Sequence, residues 1–101
     1  MKTLILAAAL TFTSATTFAE SFCETIGKLA YATMDARQAG VPLMKLLELP
    51  TATELGKSMA MEAYESPRFH SESMQERAKT EFQTKWELLC VKARAKKGSN
   101  V

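Results

Sequence analysis

The strongest constraint on the fold comes from Cys23 and Cys90, the only two cysteines in this chain of 101 residues. In an oxidising compartment, an even number of cysteines in a small domain normally means a disulfide. Two free thiols or a metal pair are the alternatives. The chain has no CxxC motif, however, and its single histidine offers too few partners for a zinc site. We therefore expect a Cys23–Cys90 disulfide that joins the two ends of the domain.

The amino-terminal segment indicates export to such a compartment. Lys2 supplies a positive charge, residues 4–10 (LILAAAL) are apolar, and residues 17–19 (TFA) end in small side chains suited to cleavage. A membrane anchor is the alternative, but the apolar run is far shorter than the roughly 20 residues of a spanning helix. We expect residues 1–19 to be a cleaved signal peptide and the mature protein to be periplasmic or extracellular.

The charge of the remaining chain is nearly balanced. Removing residues 1–19 from the 101 takes away one base, Lys2, and leaves 82 residues with 12 bases and 11 acids. This length is enough for one small domain, and the balance argues against a dedicated nucleic-acid binder. A run of bases near the end complements a helix dipole or makes a weak contact with an anionic membrane surface. This basic tail consists of Lys92, Arg94, Lys96 and Lys97.

Helical periodicity recurs throughout the predicted domain, residues 20–97, and no strand-like alternation is present. We expect a small all-α bundle of about four helices, two long and two short, closed by one disulfide. The last residues, 98–101, are expected to form a disordered tail. The predicted helices span about 22–39, about 42–49, a segment from 51 to the break at 67, and about 72–95.

Local signals predict where these helices begin and end. Residues 39–42 (AGVP) indicate a corner, because Gly40 suits a left-handed residue after one helix and Pro42 suits the first turn of the next. Thr51 and Glu54 fit a capping box, and Ser71 or Ser73 can cap the last helix.

The second helix is apolar nearly all round, so we expect most of it to be buried. The methionines at 34, 44, 59, 61 and 74 are expected to fill the core rather than to form a binding face.

Two clusters of polar and aromatic residues are the candidates for a site. Arg37 and Gln38 lie in the last turn of the first helix. The guanidinium of Arg37 either satisfies carbonyls at the end of this helix, pairs with a carboxylate across the fold, or contacts a ligand or a partner. The second cluster, AYESPRFH, lies at a predicted turn and either completes the core or forms a protein contact. Its candidate interaction residues are Tyr64, Glu65, Arg68, Phe69 and His70.

Catalysis has little support in the sequence. Ser71 directly follows His70 and cannot easily present its hydroxyl to it, and nothing positions Tyr64 against Glu62 or Glu65 as an acid–base pair. A glycine-rich phosphate loop, paired carboxylates and a metal cluster are all missing from the pattern. We therefore expect no catalytic residues, no cofactor and no metal.

The order of these motifs resembles a group of short exported proteins from bacteria and their prophages. The group pattern is a cysteine, RQxGVP, a stretch rich in methionine and leucine, AYExPR and a final cysteine, matched here by Cys23, residues 34–48, residues 63–69 and Cys90. The resemblance covers nearly the whole mature chain. It implies an export signal and a disulfide-closed helical domain, and it implies no catalytic residues. The positions that carry it are Cys23, Arg37, Gln38, Gly40, Pro42, Ala63, Tyr64, Pro67, Arg68 and Cys90.

Three functions remain open on these grounds. The first is an exported helical protein that acts through an interaction surface on a protein partner in the cell envelope. The second is a chaperone similar in architecture to periplasmic acid-stress chaperones, which would expose Met44, Leu46 and Leu47 to its clients. The third is a small enzyme that uses the turn from Tyr64 to His70.

Overall fold

The computed structural model describes the backbone of residues 14–99 and the side chains of residues 22–96. The predicted all-α fold is confirmed, and no strand is present in the described backbone. Most of the predicted signal peptide, at residues 1–13, lies outside the described part, and residues 14–19 continue the first helix toward the amino terminus. The helices are α1 (Ser14–Gln38), α2 (Leu43–Leu47), α3 (Glu54–Tyr64) and α4 (Glu72–Ser99). The last of these continues past residue 97, and residues 100–101 are outside the described part.

The disulfide between Cys23 and Cys90 is present, with 5.5 Å between the two Cα atoms. It joins the early part of α1 to the late part of α4 and so makes these helices antiparallel neighbours. The direction is confirmed further along, where Asp35 of α1 pairs with Lys79 of α4. The contact between α1 and α4 is the most extensive in the fold, α3 packs on α1, and α2 packs on α3.

The core lies where α1, α3 and α4 meet. Met34 and Met59 are its largest fully buried side chains, and Phe82 meets Trp86 edge to face with ring centroids 6.3 Å apart. The expectation of methionine as core filler is thus confirmed at two positions. It is wrong at Met44, Met61 and Met74, which are exposed. The buried cluster consists of Ile26, Ala30, Met34, Met59, Ala63 and Phe82.

The corner at the end of α1 forms as predicted. Gly40 has a positive φ of 88°, and the only positive φ values in the described backbone are at glycine. The amide of Gly40 donates to the carbonyl of Arg37 at 3.1 Å, and the amide of Val41 donates to that of Ala36 at 3.0 Å. This pair of bonds is a Schellman motif, which satisfies two carbonyls at the carboxyl end of the helix.

Replacing Gly40 with valine is expected to lower the free energy of unfolding by about 1 kcal/mol or more, because a β-branched residue disfavours positive φ. A Cβ atom here would also lie 3.1 Å from Cζ of Arg68. Urea denaturation measures the effect. Gly56→Ala is the control, since its Cβ would meet nothing closer than Oγ1 of Thr53 at 3.4 Å. The control should stabilise α3 by about 0.5–1 kcal/mol, and an unchanged midpoint for Gly40→Val would contradict the strain argument.

The predicted start of the third helix is wrong. The N-cap of α3 is Thr53, whose hydroxyl accepts from the amide of Gly56 at 3.0 Å, so the predicted Thr51–Glu54 capping box does not form. The reason is a turn in which the amide of Ala52 donates to the carbonyl of Leu49. Pro50 occupies the second position of this turn, which proline favours. Thr51 is therefore inside the turn and cannot cap the helix that follows.

The other local predictions have mixed outcomes. Of the two candidate caps of α4, Ser71 is the one whose hydroxyl accepts a helix amide, from Met74 at 3.2 Å. The prediction that the second helix is mostly buried is wrong, because none of the five residues of α2 is buried. With α3 as its main neighbour, this short helix has no second layer to cover its outer side. In the described residues, no helix is long and apolar enough to cross a membrane.

Candidate functional site

The structure brings the two predicted site clusters into direct contact, with Gln38 at the centre. The Gln38 side chain is only 3% exposed. Its Nε2 donates to the carbonyl of Pro67 at 3.0 Å, and its Oε1 accepts from the amide of Phe69 at 2.8 Å. One amide side chain at the end of α1 thus satisfies both a donor and an acceptor of the loop that follows α3.

The two arginines make reciprocal contacts across the same junction. Nε of Arg37 donates to the carbonyl of Ser66 at 3.0 Å, and Nε of Arg68 donates to the carbonyl of Gln38 at 3.0 Å. The end of α1 and the loop after α3 therefore each provide an arginine that donates to a backbone carbonyl of the other. The guanidinium of Arg37 also lies 5.1 Å from the centroid of the Tyr64 ring, a cation–π distance.

Tyr64 connects this junction to the segment between α1 and α2. Its hydroxyl donates to the carbonyl of Val41 at 2.5 Å. Burial raises the pKa of the Tyr64 phenol above 10.0, although the nearby charge of Arg37 opposes the shift. The phenol therefore remains a neutral donor at physiological pH. We call Arg37, Gln38, Tyr64 and Arg68 the latch.

The latch side chains bond mainly to the backbone of this chain. The exception is a contact from Nε2 of Gln38 to Sδ of Met34 at 3.5 Å. One alternative from the sequence is that Arg37 satisfies carbonyls at the end of its own helix, and another is that it pairs with a carboxylate across the fold. The structure combines the two, because Arg37 binds a carbonyl, that of Ser66, across the fold. The other three residues predicted with the latch are not part of it. Glu65 and His70 are exposed, while Phe69 is half-buried and lines a groove between the end of α3 and the start of α4.

That groove has a volume of about 480 Å³, with an apolar floor and a charged rim. Met34 and Phe82 of the core lie in its floor, and Phe69 forms one wall. Lys85 of α4 pairs with Glu62 of α3 across it, so the opening is bridged by an ion pair. A second pair on α4, Arg77 with Glu81 at 2.8 Å, follows the rim. The charges at this groove are thus already matched within the chain.

A polar cluster holds the outer faces of α1 and α4 together. The Tyr31 hydroxyl donates to Oε2 of Glu76 at 2.6 Å, and Nζ of Lys79 lies 3.0 Å from Oδ1 of Asp35. The hydrogen bond from Tyr31 is the main reason why the pKa of Glu76 is lowered, and its bond to Glu76 raises the pKa of Tyr31. The bond to Asp35 raises the pKa of Lys79.

These shifts give the cluster a defined pH window. Glu76 has a lowered pKa in the folded state, so its contribution is present above 4.5 and is lost as the pH falls through the lowered value. Tyr31 and Lys79 have raised pKa values, so their contributions are present below 10.0 and 10.5 and are lost as the pH rises through the raised values. The cluster therefore supports the fold at neutral pH and loses that role in acid.

Tyr31→Phe should raise the pKa of Glu76 toward its ordinary value of 4.5, because the hydroxyl that favours the ionised carboxylate is removed. Part of the shift should remain, since Lys79 also donates to this carboxylate. The measurement is an NMR titration of the Glu76 carboxyl carbon. Tyr64→Phe is the matched control and should leave the titration unchanged. If Tyr31→Phe also leaves it unchanged, the hydrogen bond is not what lowers this pKa.

The basic tail divides into two parts. Lys92 and Lys96 are exposed, and the side chain of Lys97 is outside the described part. Arg94 instead folds back onto α1, where its guanidinium lies 4.5 Å from the centroid of the Phe22 ring. It borders an apolar cleft of about 330 Å³ beside the disulfide. We call this the disulfide cleft, and its lining residues are Phe22, Ile26, Leu55, Trp86, Leu89, Cys90, Ala93 and Arg94.

A second apolar groove, of about 190 Å³, lies between α1, the α2–α3 connection and α3. We call the surface formed by its leucines Leu29, Leu46 and Leu49 the α2 face. Leu29 and Leu49 are 41% and 50% exposed. The sequence predicts neither surface as a whole, although the chaperone alternative includes Leu46 and the basic tail includes Arg94.

A signal for both surfaces was nevertheless present. The apolar stripe of α1 begins at Phe22, whereas α3 has only 11 residues and buries Met59, Ala60 and Ala63 against the fold. A helix of 11 residues is about 16 Å long, too short to cover the whole stripe. Comparing helix lengths would thus have predicted an uncovered apolar surface on α1. It would not have shown which neighbours line that surface.

Within the described residues, no three His, Cys, Asp or Glu side chains come together in a way that could hold a metal ion. Comparisons of the chain with protein-family models, curated proteins and solved structures find no match. The function therefore has to be argued from the surfaces of the molecule itself.

Proposed function

We propose that this chain is an exported protein-binding module whose interaction surface is the α2 face. The Cys23–Cys90 disulfide supports export, because such bonds persist in oxidising compartments. The resemblance to short exported bacterial and prophage proteins agrees with this location and remains a prediction. The partner is a protein of the cell envelope that presents an amphipathic helix to the groove.

The single observation that carries the proposal is the exposure of α2. None of its residues is buried, and Met44 is 58% exposed although this segment is almost entirely apolar. One residue of this helix, Leu46, lines the groove together with Leu29 and Leu49. Contiguous apolar surface of this kind on a folded domain marks a site of protein contact more often than scattered single residues do. No charged residue is among the described residues that line the groove, and the nearby bases Lys45 and Lys57 are balanced by Glu48 and Glu54. This favours recognition by apolar contact over recognition by net charge.

The latch supports a role without catalysis at the turn from Tyr64 to His70. The Tyr64 hydroxyl donates to the carbonyl of Val41, and burial raises its pKa, so the phenolate that a general base would require is disfavoured. Arg68 is likewise engaged with the carbonyl of Gln38. These groups fix the segment that leads into α2 and attach the loop after α3 to the end of α1.

Site-specific photo-crosslinking in cells that produce the protein tests the proposal. A photoreactive side chain at position 29 or 49 should give the same discrete adduct, because both positions border the groove. Position 88 is the matched control, since Leu88 is exposed, apolar and outside every groove described above. Equal labelling from position 88, or no adduct from 29 and 49, would overturn the proposal. An adduct of twice the mass of the chain would replace the envelope partner with a second copy.

A stress chaperone is a second candidate, favoured by the same exposure of α2. This helix contributes no buried residue, so it can move away from α3 at a small energetic cost. Binding of an apolar dye as the pH falls distinguishes the two functions. A chaperone of this type should gain dye fluorescence in acid with little loss of helix, whereas a fixed binding module should show no gain before it unfolds.

A further inference from the structure

The disulfide cleft differs from the other grooves because its lining is apolar except for one cation. Its walls come from the early part of α1 and the late part of α4, and Leu55 at the start of α3 closes one side. Phe22, Leu55 and Leu89 are 48%, 41% and 46% exposed around it. A volume of about 330 Å³ lies at the lower end of the range that holds small ligands, roughly 300–1,000 Å³.

Arg94 gives the cleft its polarity. Its guanidinium packs on the Phe22 ring, its Nε is buried without an acceptor, and none of the ion pairs among the described side chains involves it. Nε1 of Trp86, which also lines the cleft, is buried without an acceptor in the described part. Both unsatisfied groups are donors. The described lining of the cleft therefore holds a cation and two unsatisfied donors and no acid, which favours a negatively charged ligand. Because both donor atoms are buried, such a ligand reaches them only after the surrounding side chains shift.

We propose that the disulfide cleft binds a fatty acid, with the alkyl chain between α1 and α4 and the carboxylate on Arg94. A guanidinium binds a carboxylate through two parallel hydrogen bonds, and packing on Phe22 holds it ready for that geometry. The alkyl chain would cover Leu89 and Ala93, which the short α3 leaves exposed, and would lie against Ile26 of the core. None of the described residues that line the cleft is acidic, so none of them repels the carboxylate or competes for Arg94.

This proposal is independent of the protein contact at the α2 face. The two surfaces share no lining residue. Loss of binding at one therefore leaves the other available, and the two can be tested separately.

The test uses the oxidised protein and the fluorescence of Trp86, its only tryptophan. Decanoate, at neutral pH and below its micelle concentration, should give a saturable change in emission. Decyltrimethylammonium has the same chain with a cation and should bind at least tenfold more weakly. Hexanoate should also bind much more weakly, since each buried methylene contributes up to about fourfold in affinity. Equal affinity for the anionic and cationic probes would overturn the proposal, as would the absence of a saturable change with decanoate.

Two variants, each of which replaces one basic side chain with glutamine, locate the bound carboxylate. Arg94→Gln should weaken decanoate at least tenfold and remove the preference over decyltrimethylammonium. Lys92→Gln removes an exposed charge outside the cleft lining and should change the affinity less than twofold. Unfolding curves of both variants verify that the fold is retained. If a variant does not fold, the comparison of decanoate with decyltrimethylammonium on the wild-type protein still tests the proposal. Equal weakening by both variants would overturn the proposal in favour of a general attraction by the basic tail.

Vesicles distinguish the cleft from a membrane tether. A tether should bind phosphatidylglycerol vesicles at low ionic strength, and it should require the whole basic tail, Lys92, Arg94, Lys96 and Lys97. Sedimentation with these vesicles, without binding of monomeric decanoate, would overturn the cleft proposal. Decanoate binding that survives physiological salt, where exposed charges are screened beyond about 8 Å, would support it.

Discussion

Removing the Cys23–Cys90 disulfide is expected to lower the free energy of unfolding by about 4 kcal/mol, a large share of the stability of a small domain. The bond closes a loop with a sequence separation of 67, so it restricts nearly the whole described chain in the unfolded state. Urea denaturation of the oxidised protein and of the double variant Cys23→Ala, Cys90→Ala measures the difference. The denaturant dependence should also rise in the variant, because its unfolded chain is less compact.

The structure explains why the loss should be so large. At the disulfide end the fold consists of α1 and α4, and the short α3 contributes Leu55 at its edge. The buried cluster lies further along, at the level of Met34, Met59 and Phe82. Without the bond, few buried contacts hold the two helix ends together, and we expect local opening there before global unfolding.

Chemical reduction of the wild type is the control for the alanine substitutions. Both routes break the same bond, but only the variant also removes the two sulfur atoms from the fold. Similar losses by both routes would attribute the effect to the covalent link. If the alanine variant loses stability and the reduced wild type does not, the sulfur packing rather than the link stabilises the fold.

The fold was predictable where a single residue leaves the backbone few options. Gly40 and Pro42 have restricted or unusual conformational preferences, so the end of one helix and the start of the next follow from local chemistry. The disulfide followed from the inferred compartment and from an even number of cysteines. The periodicity of α1 and α4 was long enough to identify both helices with little dependence on their neighbours.

Other features depend on contacts between distant segments. Thr51 and Thr53 are both good caps, and only the turn closed by the bond from Ala52 to Leu49 determines that Thr53 caps α3. The burial of α2 could not be inferred from its composition, because an apolar segment is buried only if another element covers it. Within residues 14–99, no such element covers α2.

The candidate site shows the same distinction. Arg37, Gln38, Tyr64 and Arg68 were identified from the sequence as residues of interest, and the structure brings them together. Their type alone could not show whether they face a partner or the backbone of the same chain. That outcome depends on the position of the loop after α3, which is 29 to 31 residues from its bonding partners in α1.

Gln38→Leu is expected to destabilise the protein by about 2–4 kcal/mol, because it leaves two backbone groups without their partners. The substitution keeps a side chain of similar size, so the cost comes from hydrogen bonds rather than from a cavity. The carbonyl of Pro67 loses its donor and the amide of Phe69 loses its acceptor. Both lie in the loop that connects α3 to α4, so the loss should also weaken the attachment of α3 to α1.

Gln75→Leu is the matched control for this prediction. Gln75 also bonds the same loop, but through one contact, from its Nε2 to the carbonyl of Phe69 at 2.7 Å, and it is only half-buried. Its substitution should cost about 1 kcal/mol. Hydrogen exchange at the Phe69 amide separates the two, since protection should fall in Gln38→Leu and persist in Gln75→Leu. If Gln38→Leu costs no more than Gln75→Leu and the Phe69 amide stays protected, Gln38 does not hold the latch together. Arg37, Tyr64 and Arg68 would then be sufficient to keep the end of α3 on α1.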